Sequence, residues 1–445
     1  MSDLQDSTVA DAVDYASDYA VEQAAEQALQ ALRRRGFQHA QVTASESRRR
    51  ELNVAHNEPS LLRSSLSHKL AATAIVDGRR ASAEGSDVSA DGLAALVDQL
   101  WDSARSSPQD EANAVSAGQR LQLVQGPQAD DAQADPRALA EALRELLAWR
   151  SAHAPAMMIE EGQAAHALVR SATRTSGGSA IDCSLGCCGL SVFGLAREGG
   201  RTSSFNYAGG SAHALAGAAE AFGILRLMAE LTRQIDTRPL GERFVGDVVL
   251  GPGAVDDLLG WLMEQLGDGP LIDGSSLYRE RVGQVIASPL LTLRSRYDGP
   301  GCLPVSADAF IAPPATLLDG GRLTQLTPSL YGSRKTGVAH RPVAGSGWVL
   351  QPGATPLAAI VAAVPRGALV GRLSMGDPAP NGDFSGVIKN SFVIRDGEVG
   401  PALAETMISG NVAQMLLDVA AVSAESIDRG SERLPWLRIG GLHFS

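Results

Sequence analysis

Residues 244–288 read FVGDVVLGPGAVDDLLGWLMEQLGDGPLIDGSSLYRERVGQVIAS, and this stretch shows the clearest change of periodicity in the chain. Its first seven residues are a β-branched run that predicts a buried strand. A Gly-Pro-Gly sequence at 251–253 interrupts the run, and apolar side chains then recur at helical spacing up to a glycine. The stretch therefore predicts a strand, a turn and an amphipathic helix over residues 254–266, with Asp256 and Asp257 in the first helical turn.

The composition is that of an ordinary globular protein. The chain has 445 residues, enough for two domains that each bury a core. Apolar residues make up 44% of the sequence and charged residues 20%. The formal net charge is −12, which argues against a nucleic-acid partner, because phosphate binding depends largely on Lys and Arg.

The sequence also indicates where the protein works. Residues 1–20 are acidic and lack the basic start and apolar run of a signal peptide. No segment approaches the roughly 18–20 consecutive apolar residues that a membrane span needs. With few cysteines and no export signal, reduced thiols are expected. We therefore expect a cytoplasmic protein without a membrane partner.

Along the chain, the pattern predicts an N-terminal α/β domain over residues 1–237 and a strand-rich C-terminal domain over residues 238–445. Residues 1–20 are expected to be loosely ordered, and residues 106–136 show no period and predict a loop. A single Ala-rich helix is predicted over residues 212–234. Further helices are predicted over residues 21–35, 91–101, 137–149, 355–363 and 411–423. The expected fold class is α+β, with two domains of mixed, mostly antiparallel sheets and flanking helices.

The central stretch resembles the TldD/PmbA family, whose paired peptidase subunits are called TldD and TldE (also PmbA). The shared frame is VVLGPG before the helix, LL leading into it, GDG after it, then SS and VGQ-x-x-AS. In TldD the helix carries HExxxH, in which two histidines hold a metal ion and the glutamate activates water. Here Gly260, Trp261 and Gln265 stand at these positions, and none of them can bind metal or act as the base. The resemblance therefore implies a TldE-like subunit that lacks the metal motif.

Other segments extend this resemblance, which is strongest after residue 240. The sequence NGDFSG at 381–386 is close to the TldE run TGDFS, and YGSRKTG at 331–337 is a shortened form of the family's STG loop. TldD proteins supply a cysteine as third metal ligand near the C-terminus, whereas residues 428–445 contain none. The resemblance implies no cofactor in this chain and zinc in a partner subunit.

These segments contain the candidates for a cavity wall or a substrate-binding surface. The candidates are Ser276, Tyr331, Arg334, Thr336, His340, Asp383 and Ser385. The eight histidines of the chain form no helical H-x₃-H pair, and no nucleophile elbow or P-loop occurs. No residue is therefore expected to be catalytic.

The cysteines offer a weaker candidate site. Cys183 and Cys187 would lie roughly 13 Å apart on a strand, too far for both to bind one zinc ion. A turn at Gly186 would bring them closer, but no C-x-x-C pair is present. Small apolar residues of the core are the simpler interpretation of Cys183, Cys187 and Cys188.

Two functions remain open at this point. By resemblance, the chain is a non-catalytic subunit that pairs with a TldD-like zinc metallopeptidase to close a chamber for proteolysis of unfolded peptides, in peptide maturation or antitoxin turnover. The alternative is a homodimeric peptide-binding or scaffold protein without a partner protease, in a peptide natural-product pathway. A hydrolase with a new set of residues is a third hypothesis. The sequence names neither the substrate peptide nor the partner.

Overall fold

The computed structural model describes residues 20–127, 135–345 and 347–445. The loosely ordered segment predicted for residues 1–20 lies, apart from Ala20, outside these residues. The helices are α1 (Val21–Arg35), α2 (Ala90–Ser106), α3 (Pro136–His153), α4 (Ala218–Ala221), α5 (Ile224–Arg233), α6 (Pro252–Leu266), α7 (Asp268–Asp273), α8 (Leu330–Thr336), α9 (Leu357–Ala362) and α10 (Val412–Leu417).

Two sheets contain the strands. The strands of the first are β1 (His39–Ala55), β2 (Glu58–Val76), β3 (Arg79–Gly85), β4 (Arg120–Gln125), β5 (Met157–Thr175), β6 (Ala180–Glu198), β7 (Arg201–Thr202) and β8 (Asn206–Ala212). Those of the second are β9 (Thr237–Arg238), β10 (Phe244–Leu250), β11 (Leu293–Ser295), β12 (Thr316–Asp319), β13 (Arg322–Leu323), β14 (Trp348–Leu350), β15 (Arg366–Ser374), β16 (Asp383–Arg395), β17 (Glu398–Leu403), β18 (Thr406–Asn411), β19 (Val419–Asp428) and β20 (Arg433–Phe444).

The first sheet has the order β3-β2-β1-β5-β6-β4, with β7 and β8 also paired to β6. Its long strands pair antiparallel, and β4 runs parallel to β6. Helices pack on the first sheet in two pairs, each over its own cluster of buried apolar side chains. The cluster under α1 and α2 includes Val42 and Leu100, and the cluster under α3 and α5 includes Leu146 and Met228.

The second sheet has the order β13-β12-β11-β14-β20-β10-β15-β16-β17-β9. β10 pairs antiparallel with β20 and parallel with β15, and most other neighbours are antiparallel. These two sheets with their helices confirm the predicted α+β class. The domain division at 237/238 stays a prediction, since strand β9 spans it and pairs with β17.

Helix α6 packs on the second sheet because its apolar side chains share one face. Leu258 and Leu262 are fully buried, and Leu259 is nearly so. Each buried leucine contributes about 1.5–3 kcal/mol relative to an exposed one. Among the described residues, no helix is both long and apolar enough to cross a membrane.

Three local predictions are wrong. The single helix over 212–234 is instead the end of β8 followed by α4 and α5, because Gly217 and Gly223 adopt a positive φ of 73° and break it. The loop predicted over 106–136 contains β4, whose Leu121 and Leu123 pack near Ile181, and its residues 128–134 lie outside the described part of the chain. The helix over 411–423 ends at Leu417, and strand β19 follows.

Candidate functional site

Helix α6 begins earlier than its sequence pattern indicates. Pro252 occupies the first turn, where its fixed φ and missing N–H are tolerated, and Gly251 is the N-cap. Asp256 and Asp257 therefore lie beyond the first turn, so the prediction that places them there is wrong. Their carboxylates do not cap this helix and are free to face its surroundings.

Gly260, Trp261 and Gln265 stand where TldD has its HExxxH motif, and we call these three residues the degenerate motif. The three positions face different environments. Gly260 is exposed, and a Cβ atom added there would meet no atom within 4 Å. Trp261 is 4% exposed and packs edge-on against Tyr278, with ring centroids 6.2 Å apart. Gln265 is 3% exposed and packs against the segment that follows α7.

Gln265 is a structural link. Its side-chain Oε1 accepts a hydrogen bond from the backbone N–H of Leu277 at 3.1 Å. Its backbone carbonyl accepts one from Oγ of Ser276 at 2.6 Å, and that same Oγ accepts from the N–H of Tyr278. Ser276, a predicted cavity residue, is thus a partly buried contact of the last turn of α6.

A cleft of about 510 Å³ opens in front of Gly260, and we call it the Gly260 cleft. Its lining residues are Asp256, Asp257, Gly260, Trp261, Glu264, Arg372, Leu373, Ser374, Met375, Gly376, Asp377 and Pro378. Carboxylates outnumber the single arginine among these residues. Two of the three motif positions therefore face a cleft of acidic character.

A second cavity, of about 240 Å³, lies on the other side of Asp256 and Asp257, where α5 and β8 meet α6, β15 and β16. We call it the mixed-charge cavity. Its charged lining residues are Arg226, Glu230, Asp256, Asp257, Arg372 and Arg429. Three basic and three acidic side chains thus share a small volume between the two sheets.

Two carboxyl groups at the junction of these spaces have raised pKa values. Desolvation, then the negative charge of Glu432 and a hydrogen bond with it, raise the pKa of Asp256 to about 7. Desolvation raises the pKa of Asp257 to about 6, although a hydrogen bond from the backbone N–H of Leu373 and the positive charge of Arg372 act to lower it. Because Asp256 is exposed to water at the cleft, screening makes the energetic effect smaller than its pKa shift alone implies.

Polar atoms around the mixed-charge cavity lack hydrogen-bond partners. They are Oδ2 of Asp257, Oδ1 of Asn390 and Nε of Arg429, and the phenol oxygen of Tyr278 is the other such atom in the described residues. A buried polar group without a partner costs about 1–3 kcal/mol. Asn390 also has a positive φ of 50°, which is uncommon outside glycine.

Tyr331 and Arg334 join helix α8 to the loop that follows α2. The phenol O–H of Tyr331 and Nζ of Lys335 both donate to Oδ2 of Asp110, at 2.8 and 3.0 Å. Arg334 donates to the backbone carbonyl of Asn113 at 3.2 Å. Helix α8 is thereby fastened to the loop after α2, and we call this set of contacts the Asp110 clamp.

The remaining candidates make local contacts. Nε2 of His340 lies 3.2 Å from Oδ2 of Asp308, and Oγ1 of Thr336 donates to a carbonyl within its own helix. The amide of Asn411 donates to Asp383, which holds the pKa of that carboxyl below its usual range. Ser385 is exposed on β16.

These candidates do not form one site. In the described part of the chain, none of the seven residues from Ser276 to Ser385 lines the Gly260 cleft. Only the turn before Asp383 approaches it, since a Cβ on Gly382 would lie 3.2 Å from the indole of Trp261. The residues that do line it, such as Asp257 and Arg372, carry no sequence motif.

No metal centre is apparent in residues 20–127, 135–345 and 347–445, where no three His, Cys, Asp or Glu side chains are placed to hold one ion. Cys183 and Cys302 are buried, and Cys187 and Cys188 are half-buried. Burial raises the pKa of Cys183 to about 11. The thiol is therefore a poor nucleophile at neutral pH.

Comparison with known proteins supports a family and a fold. Residues 244–445 match the family described as PmbA/TldA metallopeptidase C-terminal domain. Over the whole chain, the fold is similar to TldE from Thermococcus kodakarensis, with a TM-score of 0.78, 19% identity and coverage of 95% of this chain and 100% of that one. No curated protein matches the sequence.

Two further solved structures share the fold. A proposed modulator of DNA gyrase from Bacteroides thetaiotaomicron is 19% identical, with a TM-score of 0.77 and coverage of 95% of this chain and 98% of that one. Another proposed modulator of DNA gyrase, from Thermotoga maritima, is 14% identical, with a TM-score of 0.72 and coverage of 96% of this chain and 100% of that one. At such identities the similarity establishes the fold and leaves activity open.

Proposed function

Because the chain belongs, through its C-terminal half, to the TldD/PmbA metallopeptidase family, we propose that it is a non-catalytic, TldE-like subunit of a peptidase. It pairs with a TldD-like subunit that carries the zinc ion, and the two close a chamber in which unfolded peptides are cut. The setting is cytoplasmic, in peptide maturation or antitoxin turnover. This chain contributes wall and contact surface and no catalytic group.

The observation that carries this proposal is the environment of Gln265. At the position where TldD has its second histidine, this chain has a buried amide that accepts the Leu277 N–H. The position of the first histidine is an exposed glycine with no side chain at all. A zinc site needs three protein ligands that converge on one point, and here one position is empty and another is used in folding.

The Gly260 cleft supports a role in forming a chamber wall. Its lining residues include the buried indole of Trp261 and the exposed side chains of Glu264 and Asp377. A lining that combines apolar and polar side chains suits transient contact with an unfolded peptide, whose side chains are varied. The acidic rim favours segments that contain lysine or arginine.

The test is reconstitution from separately purified subunits. We expect the chain alone to leave an unstructured peptide intact, and to restore cleavage when mixed with an HExxxH-bearing partner from the same host. Cleavage should disappear when the partner's motif glutamate is changed to glutamine, while the two chains still co-elute in size-exclusion chromatography.

Two outcomes would overturn the proposal. Cleavage by this chain alone, in a preparation free of other proteases, would show that it has its own active site. A stable homodimer that neither binds the partner nor changes its activity would favour the peptide-binding scaffold instead.

A further inference from the structure

We propose that Asn381 is a modification site, at which the side-chain amide is lost by deamidation and the residue becomes a mixture of isoaspartate and aspartate. The reaction consumes only water and requires no second protein, so the inference goes beyond the proposed function and does not depend on it. The site lies in the NGDFSG sequence, to which the proposed function gives no role.

The sequence supplies the reactive pair. Asn381 and Gly382 form the only Asn-Gly pair in the chain. Glycine has no side chain, so its backbone nitrogen can approach the amide carbon of the preceding asparagine without a steric barrier. The next least hindered pair is Asn390 and Ser391, and there Ser391 is 1% exposed. Asn381 is exposed to water, so both its neighbour and its surroundings favour the reaction.

The covalent step is a cyclisation followed by hydrolysis. The backbone nitrogen of Gly382 loses its proton to hydroxide and attacks Cγ of Asn381, so that a bond forms between these two atoms. The bond from Cγ to Nδ2 breaks, and ammonia leaves with a proton taken from water. Water then opens the five-membered succinimide, at Cγ to give aspartate or at the main-chain carbonyl carbon to give isoaspartate. One water is consumed and one ammonia is released, with no oxidation or reduction.

Hydrogen bonds hold the reactive pair in a β-turn. The N–H of Gly382 donates to the carbonyl of Ala379 at 2.7 Å, and Gly382 has a positive φ of 89°. Oδ1 of Asn381 accepts from the N–H of Asp383 at 3.1 Å, and Nδ2 donates to Oδ2 of Asp383 at 2.8 Å. A backbone nitrogen whose proton is hydrogen-bonded is a poor attacking group. The reaction therefore proceeds when the turn opens.

Asn411 keeps the turn closed. Its Nδ2 donates to the backbone carbonyl of Asn381 and to Oδ1 of Asp383, each at 2.8 Å. The N–H of Val412 donates to the carbonyl of Gly382 at 2.7 Å. These bonds attach the turn to the start of α10, so the rate of deamidation reports how often this contact opens.

The product changes the surface beside the Gly260 cleft. A carboxylate at 381 replaces an amide that donates to Asp383, so an attraction becomes a repulsion between like charges. Isoaspartate adds one carbon atom to the main chain and displaces Gly382, where an added Cβ would lie 3.2 Å from the indole of Trp261. Pro378, just before the turn, lines the cleft. Deamidation therefore alters one wall of the cleft.

Peptide mass spectrometry of the full chain, aged at mildly alkaline pH, tests the inference. We expect the peptide that contains residue 381 to gain about 1 Da, faster than any other asparagine peptide. Protein isoaspartyl methyltransferase should label the same peptide. Asn381→Gln should abolish both signals, because a glutamine would have to form a six-membered ring, which closes more slowly.

Two further variants test the control by the turn. Asn411→Ser removes the amide donor but keeps a side-chain oxygen at the N-cap of α10, where Asn411 accepts from the N–H of Gln414. We expect deamidation at 381 to become at least about twofold faster in this variant, since about one hydrogen bond is lost. Ser385→Ala changes an exposed residue of β16 and is the control, with an unchanged rate.

Two outcomes would overturn the inference. Absence of conversion at 381 in the unaltered chain, or faster conversion at another asparagine, would show that the turn prevents the reaction. An unchanged rate in an Asn411→Ser variant that remains folded by thermal melting would show that the contact with α10 does not control it. The unaltered chain decides the first point whether or not the variant folds.

Discussion

The backbone N–H of Leu277 donates to the side chain of Gln265 across 3.1 Å, and this bond joins the last turn of α6 to the segment beyond α7. The side chain of Gln265 is 3% exposed, whereas Leu277 is 36% exposed, and the bond between them is partly buried. The position that would hold a metal ligand in TldD therefore stabilises the fold here. A histidine introduced at 265 removes the amide oxygen that accepts this bond.

We predict that Gln265→His destabilises the protein by about 0.5–1.5 kcal/mol, because the partly buried N–H of Leu277 loses its acceptor. Gly260→Ala should instead be neutral or stabilising by up to about 1 kcal/mol, since alanine is the better helix former and the added Cβ meets open space. Urea denaturation of both variants measures the difference. A stable Gln265→His variant would show that the ring nitrogen replaces the amide oxygen.

Installing the whole motif should not create a peptidase. The variant with Gly260→His, Trp261→Glu and Gln265→His is expected to bind zinc weakly at most, because the third ligand is missing and buried contacts are lost. Titration with zinc and assay of an unstructured peptide check this. Stoichiometric zinc together with cleavage would contradict it.

Trp261→Ala should cost about 3–5 kcal/mol, the range for removing a large aromatic side chain from a packed site. The indole contacts Tyr278 and faces Gly382, so its loss leaves a cavity below the cleft. Leu417→Ala is the control, because Leu417 is 40% exposed. A loss below about 1 kcal/mol for Trp261→Ala would mean that cleft residues close over the space.

Stability should fall as the pH rises from about 4 to about 7. The pKa of Asp256 is about 7 in the folded chain against 3.8 for an unperturbed aspartate, so the folded state binds more protons over this interval. Asp257, with a pKa of about 6, acts in the same direction. Asp256→Asn should flatten the dependence of the melting temperature on pH between 4 and 7. An unchanged slope would show that Asp256 is ionised throughout.

Breaking the Asp110 clamp should lower the melting temperature. Asp110→Ala removes the acceptor shared by Tyr331 and Lys335, whereas Asp98→Ala removes one exposed ion pair with Arg35 and is the control. The N–H of Ala112, then Lys335 and Tyr331, lower the pKa of Asp110 to about 2. Its contribution is therefore complete above pH 3.8 and is lost as the pH falls through about 2. Equal melting temperatures for the two variants would contradict this.

Helix α6, which packs on the second sheet, was predictable because its sequence pattern is local. Leucines at 258, 259 and 262 follow a strand and a Pro-containing turn, and the observed helix Pro252–Leu266 differs from the prediction only at its start. Strand β4 was not predictable, since Leu121 and Leu123 become partly buried only through contact with residues distant in sequence.

The candidate site was predicted less well than the fold. Residues Tyr331 and Arg334 lie in a segment with a family pattern, yet in the structure they attach helix α8 to the loop after α2. Asp256 was visible in the sequence, but its raised pKa depends in part on Glu432, which is distant in sequence. A sequence pattern shows residues that recur at a regular spacing. Charged residues that come together only in the tertiary structure have no regular spacing, so the sequence does not reveal them.

Helix α8, Leu330–Thr336, has only seven residues, and isolated helices of that length do not persist in water. Its persistence depends on Asp110 from the loop after α2 and on Asp268, which accepts from the backbone N–H of Ser329 at its N-cap. Two segments far apart in the chain thus form one cooperative unit of local unfolding. The amide protons of α8 and of the loop near Asp110 should then exchange with solvent at a common opening free energy, although no hydrogen bond of regular secondary structure connects them.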